Sequence, residues 1–435
     1  MQSSPPLRAL VSELTSLRDD LPSLLRVLRG SEELLLQCFS FLDDVCGCLE
    51  PFESHTLSLI FVLKTKAAAL PLSSDLGATG VFFRQCCRLL QSCDVNSVAM
   101  VPDLFVGLCQ KFGAAASSLG GEVCVGSLEP LKHAIFVMGR GHLNKFCPLH
   151  VEYLRLCLLC QHYRAGVCVL GASLESVDLK LSGVCARDVC LFHYYAGVLC
   201  VGLKDWMVGY EHFVLCCCVP CPVLNGIMIA AYQRCILCWL LACLSSSKGV
   251  VGVFQLPKYV CAALDRHMRA SHYREFADLF RAGDIPGLRA RLNAGGFARD
   301  GNFGLAKQCV ASFIRFQILQ TSRAFVRLSL ADVARKCGLE TAQEAEDEIV
   351  RMCAQGLLRA SVDGVSSLVT FDEEVSPLDC ARSVEELDRR LGDSFALSGR
   401  LTSLNESLRV VGGGVGGSSS SSVVGLDSLS RREKF

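Results

Sequence analysis

The chain has 435 residues, in which 43 Lys and Arg balance 43 Asp and Glu, so its formal charge is zero. Charged residues make up 20% and apolar ones 51%, with a mean hydropathy of +0.37. Those values exclude a disordered, acidic or polycationic chain and require much of the surface to be buried, in a large core or against other proteins.

Cysteine is the compositional outlier, 27 in the chain, an odd number and fewer than the roughly 8–10% that marks a disulfide scaffold. Met1 to Asp20 shows no basic n-region, apolar h-region or small-residue cleavage site, so the expected setting is the cytoplasm and nucleus, where thiols stay reduced. Cys157, Cys160, Cys235, Cys238 and Cys243 sit where a helix takes small apolar residues. A membrane span is not expected: Pro220, Pro222 and Asn225 break the apolar run after Phe213, and Gln233 and Arg234 separate it from Cys235–Leu244.

From Leu7 to about Leu244, apolar residues recur at spacings of three and four, as in Leu21/Leu24/Leu25/Leu28, Leu57/Ile60/Phe61 and Phe105/Leu108/Cys109/Phe112. The fold class expected is all-α dominated, a right-handed α-solenoid of tetratricopeptide-like helical hairpins. One hairpin is expected with Tyr194-Tyr195-Ala196-Gly197 starting a helix, a turn at Gly202–Trp206 and a return through Tyr210 and Phe213. A second runs from Leu149 to Cys160, turns near His162-Tyr163 and returns to Leu170.

The pattern changes after Ser329. Ser329-Leu330-Ala331-Asp332 and Thr341-Ala342-Gln343-Glu344 read as capping boxes of two short helices that stop at Gly338 and Gly356. Leu357–Val362 and Val365–Phe371 read as strands around a tight Asp363-Gly364 turn. Helix, turn, helix and hairpin make a winged helix. Its second helix carries Glu344, Glu346, Asp347 and Glu348 against Arg351 alone, which phosphates would repel, so nucleic acid is not an expected partner. Arg281–Lys336 is basic and Cys337–Glu374 acidic; these blocks are either two solvated faces or a module that meets its neighbours by charge complementarity.

Ser383-Val384-Glu385-Glu386 reads as the cap of a last helix, whose stripe of Leu387, Leu391, Phe395, Leu401, Leu404 and Leu408 is interrupted near Ser398-Gly399. That stripe either bundles with other chains or folds back on the winged helix. The expected partner-facing residues are these six together with Val369 and Phe371. Residues 410 to 424 form a Gly/Ser linker. The expected domains are 1–145 and 146–325 (helical repeats), 326–375 (winged helix), 376–410 (bundling helix) and 411–435 (tail).

No motif with a catalytic mechanism is present: no phosphate loop, no dinucleotide fingerprint and no HExxH. Cys157/Cys160, Cys218/Cys221 and Cys235/Cys238 have metal-ligand spacing, but the first and third pairs lie inside apolar helices. The expectation is therefore no catalytic, cofactor-binding or metal site and no enzyme activity. His193 and His212 are read as packing or surface residues.

A helical array that runs into a winged helix and a lone C-terminal helix resembles the PCI-domain family. Phe192–Gly197, Gly202-Leu203-Lys204, Leu256-Pro257-Lys258-Tyr259, Arg299-Asp300-Gly301-Asn302, Gly304–Cys309, Leu328–Ala334 and Gln343–Glu346, in that order, resemble the branch of the family in the third position of the COP-nine signalosome. The resemblance implies a non-catalytic scaffold in the complex that removes the ubiquitin-like protein Nedd8 from cullins and so regulates cullin-RING ubiquitin ligases. It implies a hetero-oligomer with other PCI subunits and with metalloprotease-type subunits, winged helices side by side and C-terminal helices in a common bundle. The alternatives are a PCI scaffold of the proteasome lid and a nucleic-acid-binding PCI protein that uses the basic stretch.

Overall fold

The computed structural model describes residues 5–70, 75–172, 183–220, 224–245, 264, 266, 271–364, 366–372 and 381–412. Cys221, Pro222, Leu256–Tyr259, Val365 and the Gly/Ser tail from residue 413 onward lie outside the described residues, whereas residues 410–412, expected in the linker, are helical. The chain forms two compact units, Met1–Thr321 with Ala331–Ala345, and Ser322–Leu330 with Glu346–Phe435.

The first unit is an array of helices joined by short turns, and aspartates start many of them. Asp20, Asp75, Asp94, Asp205 and Asp284 each accept the amide N–H three residues on, at 3.3, 3.0, 2.8, 3.4 and 2.9 Å. Each bond satisfies a donor that the first helical turn would otherwise leave open. Gly283 closes the His272–Ala282 helix at φ 77°, a conformation that glycine adopts without strain.

Residues Thr56–Ala69 form a helix that is apolar around most of its circumference, and Leu57, Leu59, Ile60, Phe61, Val62 and Leu63 are each at most 1% exposed. Such a helix is stable only when surrounded. Neighbouring helices Leu76–Ser92 and Pro102–Leu119 enclose it, with Phe83 stacked on Phe112 at 4.9 Å. Lys66 at its end is buried, and its Nζ bonds the Asp43 carboxylate and Gln85 Oε1.

The hairpin Leu149–Leu159 and Tyr163–Leu170 has the expected bounds and turn. The next hairpin is Ala186–Gly202 with Trp206–Cys218. Here the expected start is corrected: Tyr194-Tyr195-Ala196-Gly197 lies mid-helix. The helix begins at Ala186 because Asp188 accepts the N–H of Cys185, which closes the first turn. Gly197 meets the ring of Phe213, where a Cβ would lie 2.6 Å from Cε1, so only glycine lets the two helices approach this closely.

Gly226–Ser245 is one continuous helix, long and apolar enough over Gly226–Leu244 to cross a membrane. Gln233 and Arg234 do not interrupt it, contrary to the sequence expectation, because both point to partners: Gln233 donates to Asp300 at 3.3 Å, and Arg234 lies over the Tyr194 ring at 5.3 Å. Ala231, Tyr232, Cys235, Ile236, Leu237, Cys238, Leu240 and Leu241 are at most 2% exposed, so this is a core helix. Asp300 also accepts from Tyr273 Oη at 3.0 Å, and Asn302 Nδ2 donates to the same hydroxyl at 2.7 Å. The Arg299–Asn302 motif thus ties this helix to His272–Ala282.

The sheet belongs to the second unit. Strands β1 (Arg327–Ser329), β2 (Ala360–Asp363) and β3 (Leu368–Phe371) pair antiparallel in the order β1-β3-β2. β1 was not expected: three residues are too few to show alternation, and it exists only through its pairing with β3. The hairpin turn is longer than Asp363-Gly364 suggests. Asp363 pairs with Leu368, which leaves four residues between the strands, and the positive φ falls on Ser367, at 52°. Ser366 Oγ donates to the Asp363 carboxylate at 2.6 Å, a side-chain bond across the turn. With the helices Leu330–Lys336 and Ala342–Ala354 between β1 and β2, the order of elements is that of a winged helix.

Candidate assembly interface

Among the described residues no group of three or more His, Cys, Asp or Glu is placed to hold a metal ion. Cys157, Cys235 and Cys238 are fully buried, Cys160 follows the end of its helix and Cys218 is half-buried. Burial pushes the thiols of Cys46, Cys93, Cys147, Cys157, Cys200 and Cys238 up to about 12, and that of Cys235 well above its ordinary value. Such thiols stay protonated and pack as small hydrophobes.

His193 and His212 form a buried pair, Nδ1 to Nδ1 at 3.1 Å, with the Phe192 ring edge-on to both. One Nδ1 must donate and the other accept, so the two rings hold opposite tautomers when neutral. Burial and the neighbouring His212 push His193 down to about 3, and burial pushes His212 down to about 4. This pair locks the hairpin and has no carboxylate partner of the kind a general base uses. It is legible only in three dimensions, because 19 residues separate the rings.

The two charge blocks meet within the first unit. Arg289 of the basic block pairs with Glu340 at 3.3 Å and with Glu344 of the acidic block. Glu344 accepts the Glu340 N–H at 3.2 Å while its own N–H donates to Thr341 Oγ1 at 3.1 Å. The capping box is thus present with its return bond shifted one residue outward. Arg281, Arg291 and Arg335 pair with Asp278, Glu275 and Asp332. Cations committed to carboxylates in this way offer little to a phosphate backbone.

The last helix carries a row of exposed apolar side chains. It runs without interruption over Ala381–Gly412, so Ser383 is its third residue rather than its cap, and Ser398-Gly399 does not break it. Continuous i to i−4 bonding carries a single glycine at a cost of only about 1 kcal/mol. Leu387 is 54% exposed, Leu391 56%, Phe395 75%, Leu401 61% and Leu404 37%; the Leu408 side chain lies outside the described ones. Val384 and Leu397 are also exposed and extend the apolar surface. The sequence reading missed them although they lie three and four residues before Leu387 and Leu401. Val369 and Phe371 are corrected: at 0% and 4% exposed they belong to the interior of this chain and are not offered to a partner.

An exposed row of large apolar side chains is the kind of surface that a protein, membrane or ligand covers. Sequence comparisons agree with a chain built for assembly. A family model described as PCI domain matches residues 293–373. The COP9 signalosome complex subunit 3 of Dictyostelium discoideum is 26% identical over 394 residues, 89% of this chain and 90% of its own length. The protein of the same name from Arabidopsis thaliana is 27% identical over 406 residues, 92% of this chain and 89% of its own. A second family model, described as the N-terminal helical repeats of COP9 signalosome complex subunit 3, matches residues 18–264, more than half of the chain, and the chain therefore belongs to the COP9 signalosome subunit 3 family.

Proposed function

We propose that this chain is a non-catalytic scaffold subunit of a COP9 signalosome, the complex that removes Nedd8 from cullins and thereby regulates cullin-RING ubiquitin ligases. The observation that carries the reading is the exposed apolar helix Ala381–Gly412, which follows a helical array and winged helix of the subunit 3 family. Its partners are the other PCI subunits and the metalloprotease-type subunits, which supply the isopeptidase chemistry. The partner-facing residues are Leu387, Leu391, Phe395, Leu401, Leu404 and Leu408. The domain bounds proposed are those of the sequence reading, except that the last helix extends over Ala381–Gly412. The expected compartments are the cytoplasm and nucleus.

Purification of the tagged full-length chain from its own cells, followed by mass spectrometry of the co-purifying chains, tests the proposal. Signalosome subunits in near-equal amounts support it. Recovery of proteasome-lid subunits instead overturns it. So does turnover of a Nedd8–cullin conjugate by the purified single chain supplied with zinc.

A further inference from the structure

The helix Thr56–Ala69 begins inside the core without a side-chain cap. Its first backbone bond of helical type runs from the Leu59 N–H to the His55 carbonyl at 3.0 Å, and the amides ahead of Leu59 have no carbonyl within the helix to reach. His55, at the cap position, makes no side-chain bond to them. Thr56 does not serve either, because its hydroxyl donates back to the carbonyls of Phe52 and Glu53 at 3.2 and 3.0 Å and accepts the Asp94 N–H at 3.2 Å.

Two polar side chains at this helix end are buried and unpartnered. His55 is 5% exposed and Ser58 0%, and neither His55 Nδ1 nor Ser58 Oγ has a hydrogen-bond partner. Ser58 is the third residue of the helix, and a helical Cα–Cβ bond tilts toward the N-terminus, which carries its hydroxyl over the first turn. Buried polar atoms of this kind call for a bonding partner.

The electrostatics select its sign. The amino end of a helix carries about half a positive charge, and Arg18, itself beside the exposed Asp19 at 3.5 Å, is the charged side chain that acts on His55. Burial and Arg18 both hold His55 below its ordinary value, so the ring is neutral and Nδ1 can carry the proton and donate it. Nearby carboxylates are turned elsewhere: Asp94 accepts the amide and the hydroxyl of Ser97 at 2.8 and 3.0 Å, and Glu53 is exposed to solvent. Thr56, Leu57, Ser58 and Leu59 are at most 1% exposed. An ion enclosed among residues so buried is one atom in size, since a phosphate or a carboxylate-bearing ligand would need an opening to solvent.

We propose that the first turn of the Thr56–Ala69 helix binds chloride, held by Ser58 Oγ–H, His55 Nδ1–H and the leading amides. The site is independent of the assembly reading above.

The test compares thermal unfolding of the purified full-length chain in sodium chloride and in sodium gluconate at equal ionic strength. Chloride should raise the midpoint saturably, by roughly 2–4 °C at about ten times its Kd. Ser58→Ala should abolish that response, yet in gluconate it should be as stable as the unmodified chain or more so, because it deletes an unpartnered hydroxyl. Crystals grown in sodium bromide should show an anomalous peak beside Ser58 Oγ and His55 Nδ1. Equal midpoints in the two salts, a chloride response that survives Ser58→Ala, or no anomalous peak at this turn overturns the proposal. So does an equal loss of stability by Ser58→Ala in both salts, the result for a bridging water.

Discussion

Replacing Leu387, Leu391 and Leu401 together by Asp separates a helix that serves assembly from one that serves this chain's own fold. The three side chains are 54%, 56% and 61% exposed, so somewhat over half of each surface remains to be buried by a partner. Full burial of a leucine contributes about 1.5–3 kcal/mol, so the share still available across the three positions is about 3–5 kcal/mol. At 1.4 kcal/mol per tenfold, that weakens association by roughly two to four powers of ten, before the further cost of desolvating three carboxylates. The isolated chain loses almost no packing, and the lower helix propensity of Asp costs a few tenths of a kcal/mol per residue in a helix exposed along its described length. The assay pairs quantitative co-purification with thermal unfolding of the purified chain. The expected outcome is release from the complex with an unfolding midpoint close to that of the unmodified chain. If the variant unfolds several degrees earlier and still co-purifies, the helix belongs to the chain's own core and the reasoning fails.

Gly197→Ala should destabilise the chain by roughly 1–3 kcal/mol because the new Cβ overlaps the Phe213 ring; Gly209→Ala, whose Cβ meets nothing nearer than 3.5 Å, should be neutral or slightly stabilising by chemical denaturation, and equal effects would contradict the packing account. The folded-state pKa values of His193 and His212 lie below the ordinary value of 6.5, so their contribution is fully present above that value and is lost as pH falls toward about 4. A His193→Gln/His212→Gln variant should show a shallower loss of melting temperature between pH 7 and 4.5, and an unchanged slope would remove the pair from the explanation. Asp43→Leu strands the buried Lys66 ammonium and should cost roughly 3 kcal/mol or more, whereas Lys66→Met leaves the half-exposed Asp43 to water and should cost far less in urea unfolding; the reverse order would refute this. Thiol labelling of the native chain should modify the exposed Cys168 and Cys185 well before Cys235 or Cys238, and rapid reaction of either of the latter would mean that the buried thiols are accessible.

Much of the helical organisation was legible because it is local. Apolar spacings of three and four, and the turn at His162-Tyr163, operate within a few residues, so one helix declares itself without its neighbours. The Thr341–Glu344 cap and the stop at Gly338, φ 62°, are local in the same sense. Where the reading slipped, something distant decided. Tyr194–Gly197 resembles a helix start, yet the chain is already helical from Ala186, and the small residues there serve the approach of Phe213 across the hairpin.

The candidate interface divides in the same way. Leu387, Leu391, Phe395, Leu401 and Leu404 were readable as an apolar row because helical periodicity is printed in sequence order. Whether that row was continuous depended on the helix passing unbroken through Ser398-Gly399, which the 32-residue helix does. Val369 and Phe371 alternate as a half-buried strand should, but which side of the strand faces inward is fixed by its partners β1 and β2, not by the strand's own residues. The sequence by itself determined a helical array, a winged helix and a terminal apolar helix, since each follows from short-range spacing and capping. Only the tertiary structure decided that His193 meets His212, that Arg289 joins the basic block to the acidic one, and which apolar residues remain for another chain, because those contacts are between side chains far apart in the chain and burial is a property of the whole.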